Sequence, residues 1–398
     1  MSIFNSLGSN YDGQFVRQDL LGMGKKTFLS ELSTVLGQHY GGKITLTYKG
    51  RQALELALTH SDLPAGSTVG INGFTCYVVY KAVVNAGYKP VFIDTAAQEL
   101  NFGTNELKQA VSKHANLKAI IVQNTLGYPA DMTTLAAYCQ QQNILIIEDL
   151  AHSTGLTYSN GREAGSVGAL TMMSFSQDKP LDVVAGGALI DRREAKAPDI
   201  KLPKASLWQR SRNRFYPLWS SLIRTTYPIG LGRYIHFILK RLHLMSTPMS
   251  DDLQGLQRMP THTAQLILER WQDRQGELAH RRSIAAIYAQ KLPKSIQIQS
   301  PNTGLPTYLR YPLLVSEPTA LISFLRKYQI FIGDTWYDAP IGPKKYFAQT
   351  DYQPGTCVQA ESLAKQFINL PTHRGVTPEI AADICAKIKQ WQALQQTP

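Results

Sequence analysis

Residues 144–152 read ILIIEDLAH, an apolar run that ends in two carboxylates and a histidine. A short continuous run of aliphatic residues is typical of a strand that is buried on both faces, as in a parallel sheet. Such sheets bind their ligands at the carboxyl ends of the strands. Glu148 and Asp149 therefore stand where a ligand is expected, although an acid at this place also commonly caps a helix or lies in a loop.

The segments on either side of this run alternate between helical and strand patterns. Helices that alternate with short apolar strands are typical of βα units and a mainly parallel sheet. We therefore expect an α/β fold with a large domain over residues 1–194. The predicted strands are 68–71, 90–93, 118–123 and 144–149, and the predicted helices are 26–39, 50–57, 77–86, 104–113 and 132–141.

The alternation ends near residue 190. Residues 195–255 are predicted to form a basic insert rich in aromatic side chains. Residues 256–398 are predicted to begin with a long amphipathic helix, 261–291, and to continue as a smaller α/β domain. Its predicted elements are a strand at 308–315 and helices at 318–328 and 378–394.

The composition is that of a folded protein, with 43% hydrophobic and 18% charged residues, which excludes a mainly disordered chain. The four cysteines are scattered without a CxxC pair, an arrangement that suits a reducing compartment and predicts no metal site. The first residues lack the pattern of a signal peptide, and no apolar run approaches about 18 residues. We expect a cytoplasmic protein, with membrane association at the inner face as an open alternative.

Residues 174–190 read SFSQDKPLDVVAGGALI and contain Lys179. A lone loop lysine is usually a solvated surface group. Enzymes that use pyridoxal 5′-phosphate (PLP), however, need a lysine for a Schiff base, an acid for the pyridinium nitrogen and a phosphate cradle at a helix N-terminus. Asp149 supplies an acid, and residues 48–53, YKGRQA, supply a candidate cradle in which Gly50 allows close backbone approach.

Four motifs follow one another along the chain. They are AGSTVGINGFTCYVVYKAVVNAGYKPVFID at 65–94, GYPADMTTLAAYCQQQNILIIEDLAHSTG at 127–155, SFSQDK with the AGG that follows it, and AESLAKQFINLPTHRGVTPEI at 360–380. Together they resemble the DegT/DnrJ/StrS family of PLP-dependent sugar aminotransferases, which have the aspartate-aminotransferase fold (fold type I). The resemblance covers about residues 28–190 and 259–388. It implies a mainly parallel seven-stranded sheet, a smaller C-terminal α/β domain and a homodimer.

The resemblance also implies roles for individual residues. Lys179 would form the Schiff base and then move the proton between the substrate carbon and the cofactor. Asp149 would pair with the pyridinium nitrogen, and His152 would lie beside the phenolic oxygen of the ring. The other implied cofactor-binding residues are Ser174, Gly50 and Arg51 around the phosphate and Cys76 on the face of the ring.

Several positions depart from the family pattern. Arg51 and Gln52 replace the small residues that usually follow the cradle glycine, while Ser176 and Asp178 are unusual in the lysine motif. Leu256 stands where the family has an Asn that reaches the phosphate across the dimer interface, with Gln257 beside it as an alternative. Trp336 and Tyr337 either line the substrate pocket or pack between domains, and His373 either lies near the substrate or holds a turn.

The insert carries most of the excess charge. Residues 195–247 contain ten cations and one anion, Asp199, in a chain of net charge +12, so the remainder is close to neutral and a nucleic-acid partner is not expected. Pro217 predicts a split or bent helix. A second helix carries an apolar stripe at helical spacing, namely Leu231, Tyr234, Ile235, Ile238, Leu239 and Leu242.

Three interpretations of the insert stay open. The stripe packs on the body of the protein while the cations are solvated, or the helices rest on an anionic membrane, or the cations clamp a substrate phosphate. For the whole chain we expect transfer of an amino group from an amino acid, by family habit L-glutamate, to a keto-sugar, nucleotide-linked in most of the family. The alternatives are a PLP-binding regulator or scaffold without transaminase activity, and a membrane-recruited enzyme that acts on a lipid-linked sugar.

Overall fold

The computed structural model describes residues 2–193, 200–247, 249, 255–298, 300, 304–333 and 336–396. The strands are β1 (Ile3–Phe4), β2 (Lys43–Thr47), β3 (Thr68–Asn72), β4 (Thr75–Cys76), β5 (Lys89–Ile93), β6 (Leu117–Val122), β7 (Leu145–Asp149), β8 (Leu170–Ser174), β9 (Gly187–Asp191), β10 (Arg310–Leu314), β11 (Ile330–Phe331), β12 (Ile341–Gly342) and β13 (Phe367–Pro371). The helices are α1 (Gly13–Leu21), α2 (Thr27–Tyr40), α3 (Gly50–Thr59), α4 (Tyr77–Asn85), α5 (Thr104–Lys113), α6 (Met132–Gln142), α7 (Leu207–Thr226), α8 (Leu231–Arg241), α9 (Thr261–Gln272), α10 (Arg274–Lys291), α11 (Pro318–Arg326), α12 (Val358–Gln366) and α13 (Pro378–Gln396).

Seven strands form one sheet in the order β2-β9-β8-β7-β6-β3-β5. The pairs from β5 to β8 are parallel, whereas β9 runs antiparallel to both of its neighbours, β8 and β2. The mainly parallel seven-stranded sheet is thereby confirmed. Because β9 returns beside β8, the chain between them turns back at the carboxyl edge of the sheet, and this connection carries Lys179.

The sheet is buried on both faces. In β6, Ile120 and Val122 belong to one hydrophobic core while Ala119 and Ile121 belong to another, because successive side chains of a strand point to opposite faces. Helix α3 covers one face, with Leu54, Leu56 and Leu58 almost fully buried. Burial on both sides explains why the central strands are continuous apolar runs without alternation.

The C-terminal part of the chain forms a smaller α/β unit. Strands β10 and β13 pair antiparallel, and residues of α10, α11 and α13 form a third core against them. Strand β1 pairs in parallel with β11, so the first residues of the chain pack with this C-terminal part. The domain limits 1–194, 195–255 and 256–398 stay a prediction.

Two helical segments differ from their predicted form. The predicted helix 261–291 is divided into α9 and α10 at Asp273, whose carboxylate pairs with Arg374 at 2.6 Å. Helix α7 runs without a break across Pro217, so the predicted split into two helices is wrong, and the alternative of a bend stays a prediction. Its N-terminus is fixed by a capping box in which Ser206 and Gln209 each bond the other's backbone N–H.

Candidate active site

The two acids that end the run ILIIED, Glu148 and Asp149, have different hydrogen-bond partners at the carboxyl edge of the sheet. Glu148 accepts hydrogen bonds from the backbone N–H groups of Gly165, Val167 and Gly168 and from the hydroxyl of Tyr158. It therefore organises the loop between β7 and β8. Asp149 is the next residue of the pleated strand, and the bond that it accepts is from the N–H of Ala151 at 2.8 Å.

Six of the seven predicted site residues line one cavity at this edge, and the seventh, Asp149, is buried beside it. The six are Gly50, Arg51, Cys76, His152, Ser174 and Lys179. Gly50 begins α3 and touches the end of β8, because a Cβ atom on Gly50 would lie 2.5 Å from Cβ of Ser174. No other residue fits there, so the helix N-terminus and the Ser174 hydroxyl are held together as a candidate phosphate cradle.

Asp149 has an altered acidity. Burial raises the pKa of its carboxyl to about 6, while the Ala151 N–H and the nearby Lys179 ammonium act in the opposite direction. When burial raises the pKa of a carboxyl group, a cation placed against it stabilises the ionised form. Asp149 is thus suited to hold a protonated ring nitrogen.

His152 is neutral and its proton position is fixed. Burial, and then the charges of Lys179 and Arg310, hold its pKa well below the usual range. Its Nδ1 accepts the backbone N–H of Leu126 at 3.2 Å, so the ring proton lies on Nε2. The histidine can therefore donate one hydrogen bond from Nε2. Leu126 is held for this contact in a left-handed backbone conformation, φ 53°.

Lys179 lies beneath an aromatic wall. Its Nζ is 4.8 Å from the centre of the Trp336 ring, which is parallel to the His152 ring at 6.0 Å. Burial lowers the pKa of Lys179, opposed by Cys76, Asp149 and Asp178. Trp336 and Tyr337 both line the cavity, and Tyr337 also packs against Phe74, while the role of the pair in a substrate pocket or between domains stays a prediction.

The loop that carries Lys179 is held by Asp182. The Asp182 carboxylate accepts the backbone N–H groups of Asp178 and Val184 and the side chains of Asn10 and Tyr11. Asp178 and Val184 both have a positive φ, 60° and 72°, which is costly for residues with a Cβ and especially for a β-branched one. Nothing in the spacing of 174–190 distinguishes Asp182 from a surface acid, so its role could not be predicted.

Two buried cations near the site were also missed. Arg310 is fully buried on β10, with its guanidinium 5.8 Å from the Trp336 ring and 3.6 Å from the Asp178 carboxylate. Lys49 precedes the cradle glycine, lines the cavity and donates to the carbonyl of Val184 at 2.9 Å. Burial, and then the Arg51 charge, lower the pKa of Lys49 to about 7. The position of Lys49 next to Gly50 in the sequence was the signal that could have identified it as a residue of the site.

The departures from the family pattern have local partners. Gln52 donates to the carbonyl of Gly255, and the carbonyl of Gln257 accepts the N–H of Tyr48, so the segment around Leu256 packs beside the cradle. The side chain of Gln257 bonds Gln209 of α7. The hydrogen bonds of His373 favour the alternative in which it holds a turn. Its Nε2 donates to the carbonyl of Phe4, and its Nδ1 accepts the backbone N–H of Gly375.

Comparison with known proteins identifies the family. The profile of the DegT/DnrJ/EryC1/StrS aminotransferase family matches residues 14–389. The chain belongs to this family. DegT-family aminotransferases are PLP-dependent enzymes, and the resemblance on which the site was predicted is thereby confirmed. Among the described residues no group of histidine, cysteine and acidic side chains could hold a metal ion.

Individual DegT-family relatives are distant. The chain is 24% identical over 348 residues to a pleiotropic regulatory protein of Geobacillus stearothermophilus, covering 86% of this chain and 83% of that protein. It is 22% identical over 373 residues to a GDP-perosamine synthase of Caulobacter vibrioides, covering 91% and 90%. The structure of Helicobacter pylori PseC, an aminotransferase of pseudoaminic acid biosynthesis, aligns over 99% of this chain and all of that chain with a TM-score of 0.71 at 15% identity.

The residues present fit the cofactor of the DegT family. The cradle formed by Gly50 and Ser174 suits a phosphate, and Asp149 is a buried carboxylate that a cation would stabilise in its ionised form. Lys179 is a buried amine in the same cavity, and His152 presents a single N–H. These four features match the four polar parts of PLP, which are its phosphate, ring nitrogen, aldehyde and phenolic oxygen.

Proposed function

We propose that this DegT-family enzyme transfers an amino group from an amino acid, with L-glutamate as the first donor to test, to a keto-sugar carried on a nucleotide. The observation that carries the proposal is that Lys179 and His152 line one cavity beside the Gly50–Ser174 cradle, with Asp149 buried next to it. The name of the GDP-perosamine synthase among the relatives supports a nucleotide-linked amino sugar as product. The product would serve the synthesis of a polysaccharide or another amino-sugar compound.

The chain's own residues bind and orient the cofactor. The Asp149 carboxylate would hold a proton on the ring nitrogen, and His152 would donate from Nε2 to the phenolic oxygen. The N-terminus of α3 at Gly50, with the Ser174 hydroxyl and the neighbouring Arg51, binds the phosphate. Cys76 directly precedes α4 near Lys179, where it would contact one face of the ring. PLP bound in this way supplies an electron sink for a carbanion at the substrate carbon.

Lys179 is the proposed general acid and base. Its lowered pKa increases the fraction of neutral amine near pH 7, which is the form that accepts a proton from the substrate carbon. The Trp336 ring above its Nζ excludes water and restricts the direction in which the amine can move. Asp182 accepts the backbone N–H groups of Asp178 and Val184, one on each side of Lys179, and we call this contact the Asp182 clamp. The clamp holds the loop so that the amine stays in the cavity.

A larger cavity next to the cofactor site is the proposed acceptor pocket. It has a volume of about 630 Å³ and shares Gln177, Met249 and Trp336 with the Lys179 cavity. Apolar and aromatic side chains form most of its wall. Its cationic side chains, which suit a nucleotide diphosphate, are Lys240, Arg326 and Lys345.

We further propose that the enzyme is a homodimer in the cytoplasm, as the family resemblance implies. No helix in the described residues is long and apolar enough to cross a membrane. The state of assembly is measured by sedimentation equilibrium of the PLP-loaded protein. One chain has a mass of 44.3 kDa, and the proposal predicts a particle of twice that mass. The alternative of a regulator without transaminase activity is not favoured, because the Lys179 site is assembled.

The reaction is tested by following the donor nitrogen. The PLP-loaded protein is incubated with L-glutamate labelled in its amino nitrogen and with a panel of nucleotide-linked keto-sugars, and the products are separated by mass spectrometry. The proposal predicts labelled amino sugar from at least one acceptor, none with Lys179→Ala, and an unchanged yield with the surface control Lys365→Ala. Labelled product at the same rate in Lys179→Ala, or no product from any acceptor despite consumption of the donor, would contradict it.

A further inference from the structure

Helices α7 and α8 form a hairpin, here the α7–α8 hairpin, that lies on the body of the protein. The helices touch closely at Gly232, where a Cβ atom would lie 2.3 Å from the carbonyl oxygen of Ile223. Ile223, Tyr216 and Leu239 are buried in the same core as the seven-stranded sheet. The hairpin is therefore built into the fold by one face.

The opposite face of the hairpin is apolar and exposed. On α8, Phe237 is 66% exposed, Tyr234 69% and Ile238 52%, and with Leu231 and Leu242 they span roughly 140° of the helix circumference, an arc that also contains the exposed Arg241. The predicted apolar stripe of α8 is thus divided, since Leu239 is buried and Ile235 half-buried while the other four members face solvent. The exposed apolar residues of α7 and the turn are Leu207, Trp208, Phe215, Leu222 and Ile229.

A second segment extends this surface. Arg214 of α7 donates to the carbonyls of Leu20 and Gly22 at 2.8 Å, which fixes the end of α1 against the hairpin. The side chains there, Leu21 and Met23, are 72% and 85% exposed. Solvent-exposed apolar residues from two distant parts of the sequence therefore gather in one region. Scattered single residues would need no explanation, whereas several exposed apolar residues on neighbouring elements favour a contact surface.

The charges divide into two groups. Arg212 donates to the carbonyl of Met245 and Arg224 to that of Tyr11, so these two, with Arg214, are used within the fold. They do not act as surface charges. The cations that remain exposed on the hairpin are Arg210, Arg233, Lys240 and Arg241, with Lys201 and Lys204 before it. Residues 200–250 contain no aspartate or glutamate.

We propose that the outer face of the α7–α8 hairpin, with Leu21 and Met23, docks on the surface of a bilayer that contains anionic phospholipid. Exposed aromatic and aliphatic side chains flanked by lysine and arginine are the pattern of helices that lie in a membrane interface. The flanking cations meet lipid phosphates while Phe237 and Ile238 enter the boundary of the acyl chains. This inference does not depend on the proposed reaction.

A second copy of the chain fits the same face less well. In a two-fold symmetric dimer a surface patch meets itself, so Arg233 and Arg241 would face a partner surface with the same cations. Like charges brought together at an interface oppose association, and the hairpin has no acid with which to neutralise them. An anionic bilayer supplies the missing negative charge over the whole face.

Docking by this face would bring the proposed acceptor pocket close to the membrane. Helix α8 contributes His236 and Lys240 to the wall of the 630 Å³ cavity, while Phe237 and Ile238 of the same helical turn face outwards. The enzyme would then act on material made or used at the membrane surface.

Vesicle sedimentation of the full-length, PLP-loaded protein tests the proposal. Vesicles of phosphatidylglycerol and phosphatidylcholine in equal parts are compared with phosphatidylcholine alone, at low and high salt. Removal of the hairpin is unsuitable because Tyr216, Ile223 and Leu239 belong to the core. The apolar variant is therefore Phe237→Ser with Ile238→Ser, and the charge variant is Arg210→Gln with Arg241→Gln. The matched control is Leu394→Ser, an apolar residue of α13 that is 58% exposed.

We expect binding to the anionic vesicles that weakens with salt. The apolar variant should bind at least about tenfold more weakly, and the charge variant about fivefold more weakly per cation removed, while the control binds as the native chain does. All variants should keep the native melting temperature and rate of reaction with L-glutamate. Failure to sediment with anionic vesicles overturns the proposal, as does equal binding to both vesicle types. Self-association abolished by the apolar variant, without vesicle binding, would instead assign the face to a second copy.

Discussion

The carboxylate of Asp182 accepts the backbone N–H of Asp178 at 2.8 Å, one residue before Lys179. It also accepts the N–H of Val184, and it is bonded in turn by Asn10 and Tyr11 from the N-terminal segment. The strained ends of the lysine loop are therefore held by one buried side chain. Lys179 is therefore positioned by contacts within the fold.

Replacement of this clamp should loosen the lysine loop. In Asp182→Asn, at most one side-chain oxygen remains for the N–H groups of Asp178 and Val184, and the bonds lose their charge. We expect the free energy of unfolding to fall by about 2–4 kcal/mol and the protein to bind PLP more weakly, as measured by urea denaturation and by cofactor titration.

The matched control for the clamp is Asp94→Asn. Asp94 also accepts backbone N–H groups, those of Thr95, Gln359 and Ala360, but it is partly exposed and lines neither of the two cavities described above. It should lose less stability and keep its affinity for PLP. Equal loss of PLP affinity in both variants would show that the Asp182 clamp has no specific effect on Lys179.

Asp149→Asn should stabilise the cofactor-free protein while it abolishes activity. The pKa of Asp149 is raised by burial to about 6, so its ionised form opposes folding above the unfolded pKa, fully so above about pH 6. At pH 7 the substitution should add up to about 3 kcal/mol to the free energy of unfolding, and the gain should vanish below about pH 4. Turnover should fall at least about a thousandfold. A destabilised cofactor-free variant at pH 7 would contradict the assignment.

Lys49 should couple phosphate binding to pH. Its pKa is lowered to about 7 in the free protein, chiefly by burial and then by Arg51, while Asp182 opposes and Arg212 adds to the shift. A phosphate in the cradle favours the charged form, so binding above pH 7 takes up a proton. Affinity for 4′-deoxypyridoxine phosphate, which lacks the aldehyde, should fall by up to about tenfold per pH unit above 7. In Lys49→Met this dependence should disappear, and an unchanged slope would refute the coupling.

The hydrogen-bonding role of His152 can be separated from its shape. His152→Gln retains an N–H donor, so we expect turnover within about tenfold of the native rate. His152→Leu removes the donor and leaves the N–H of Leu126 without its acceptor, and we expect about a hundredfold lower turnover with a shifted absorption maximum of the bound cofactor. Because burial holds the pKa of His152 well below its usual range, neither variant should move the acid limb of the pH profile.

The sequence predicted those parts of the structure whose pattern is local. Apolar runs identified β3, β5, β6 and β7, since strands that are buried on both faces consist mostly of apolar residues. Strands β2, β8 and β9 were not predicted. The segment KITLT of β2 is partly exposed, and Gly-Gly at the start of β9 is typical of a turn. The seven-stranded count came from the family resemblance.

The site divides in the same way. Lys179, Asp149 and Gly50 stand in motifs, whereas Asp182, Arg310 and Trp336 reach Lys179 only through contacts made by folding. The cations of the insert show the limit most clearly. Arg212 and Arg214 are two residues apart and alike in sequence, yet Arg212 is buried on the carbonyl of Met245 and Arg214 holds the end of α1. Only the packing of α7 tells them apart from the exposed Arg210.

The central claim is that Lys179 and Asp149 make this chain a working PLP-dependent aminotransferase. The most direct test is the visible absorption spectrum of the purified, PLP-loaded protein before and after addition of L-glutamate, with Lys179→Ala beside it. The account predicts a cofactor band that disappears with L-glutamate in the native chain, and its absence in Lys179→Ala. A native protein that shows no such band after loading with PLP, or an identical band and response in Lys179→Ala, would contradict it.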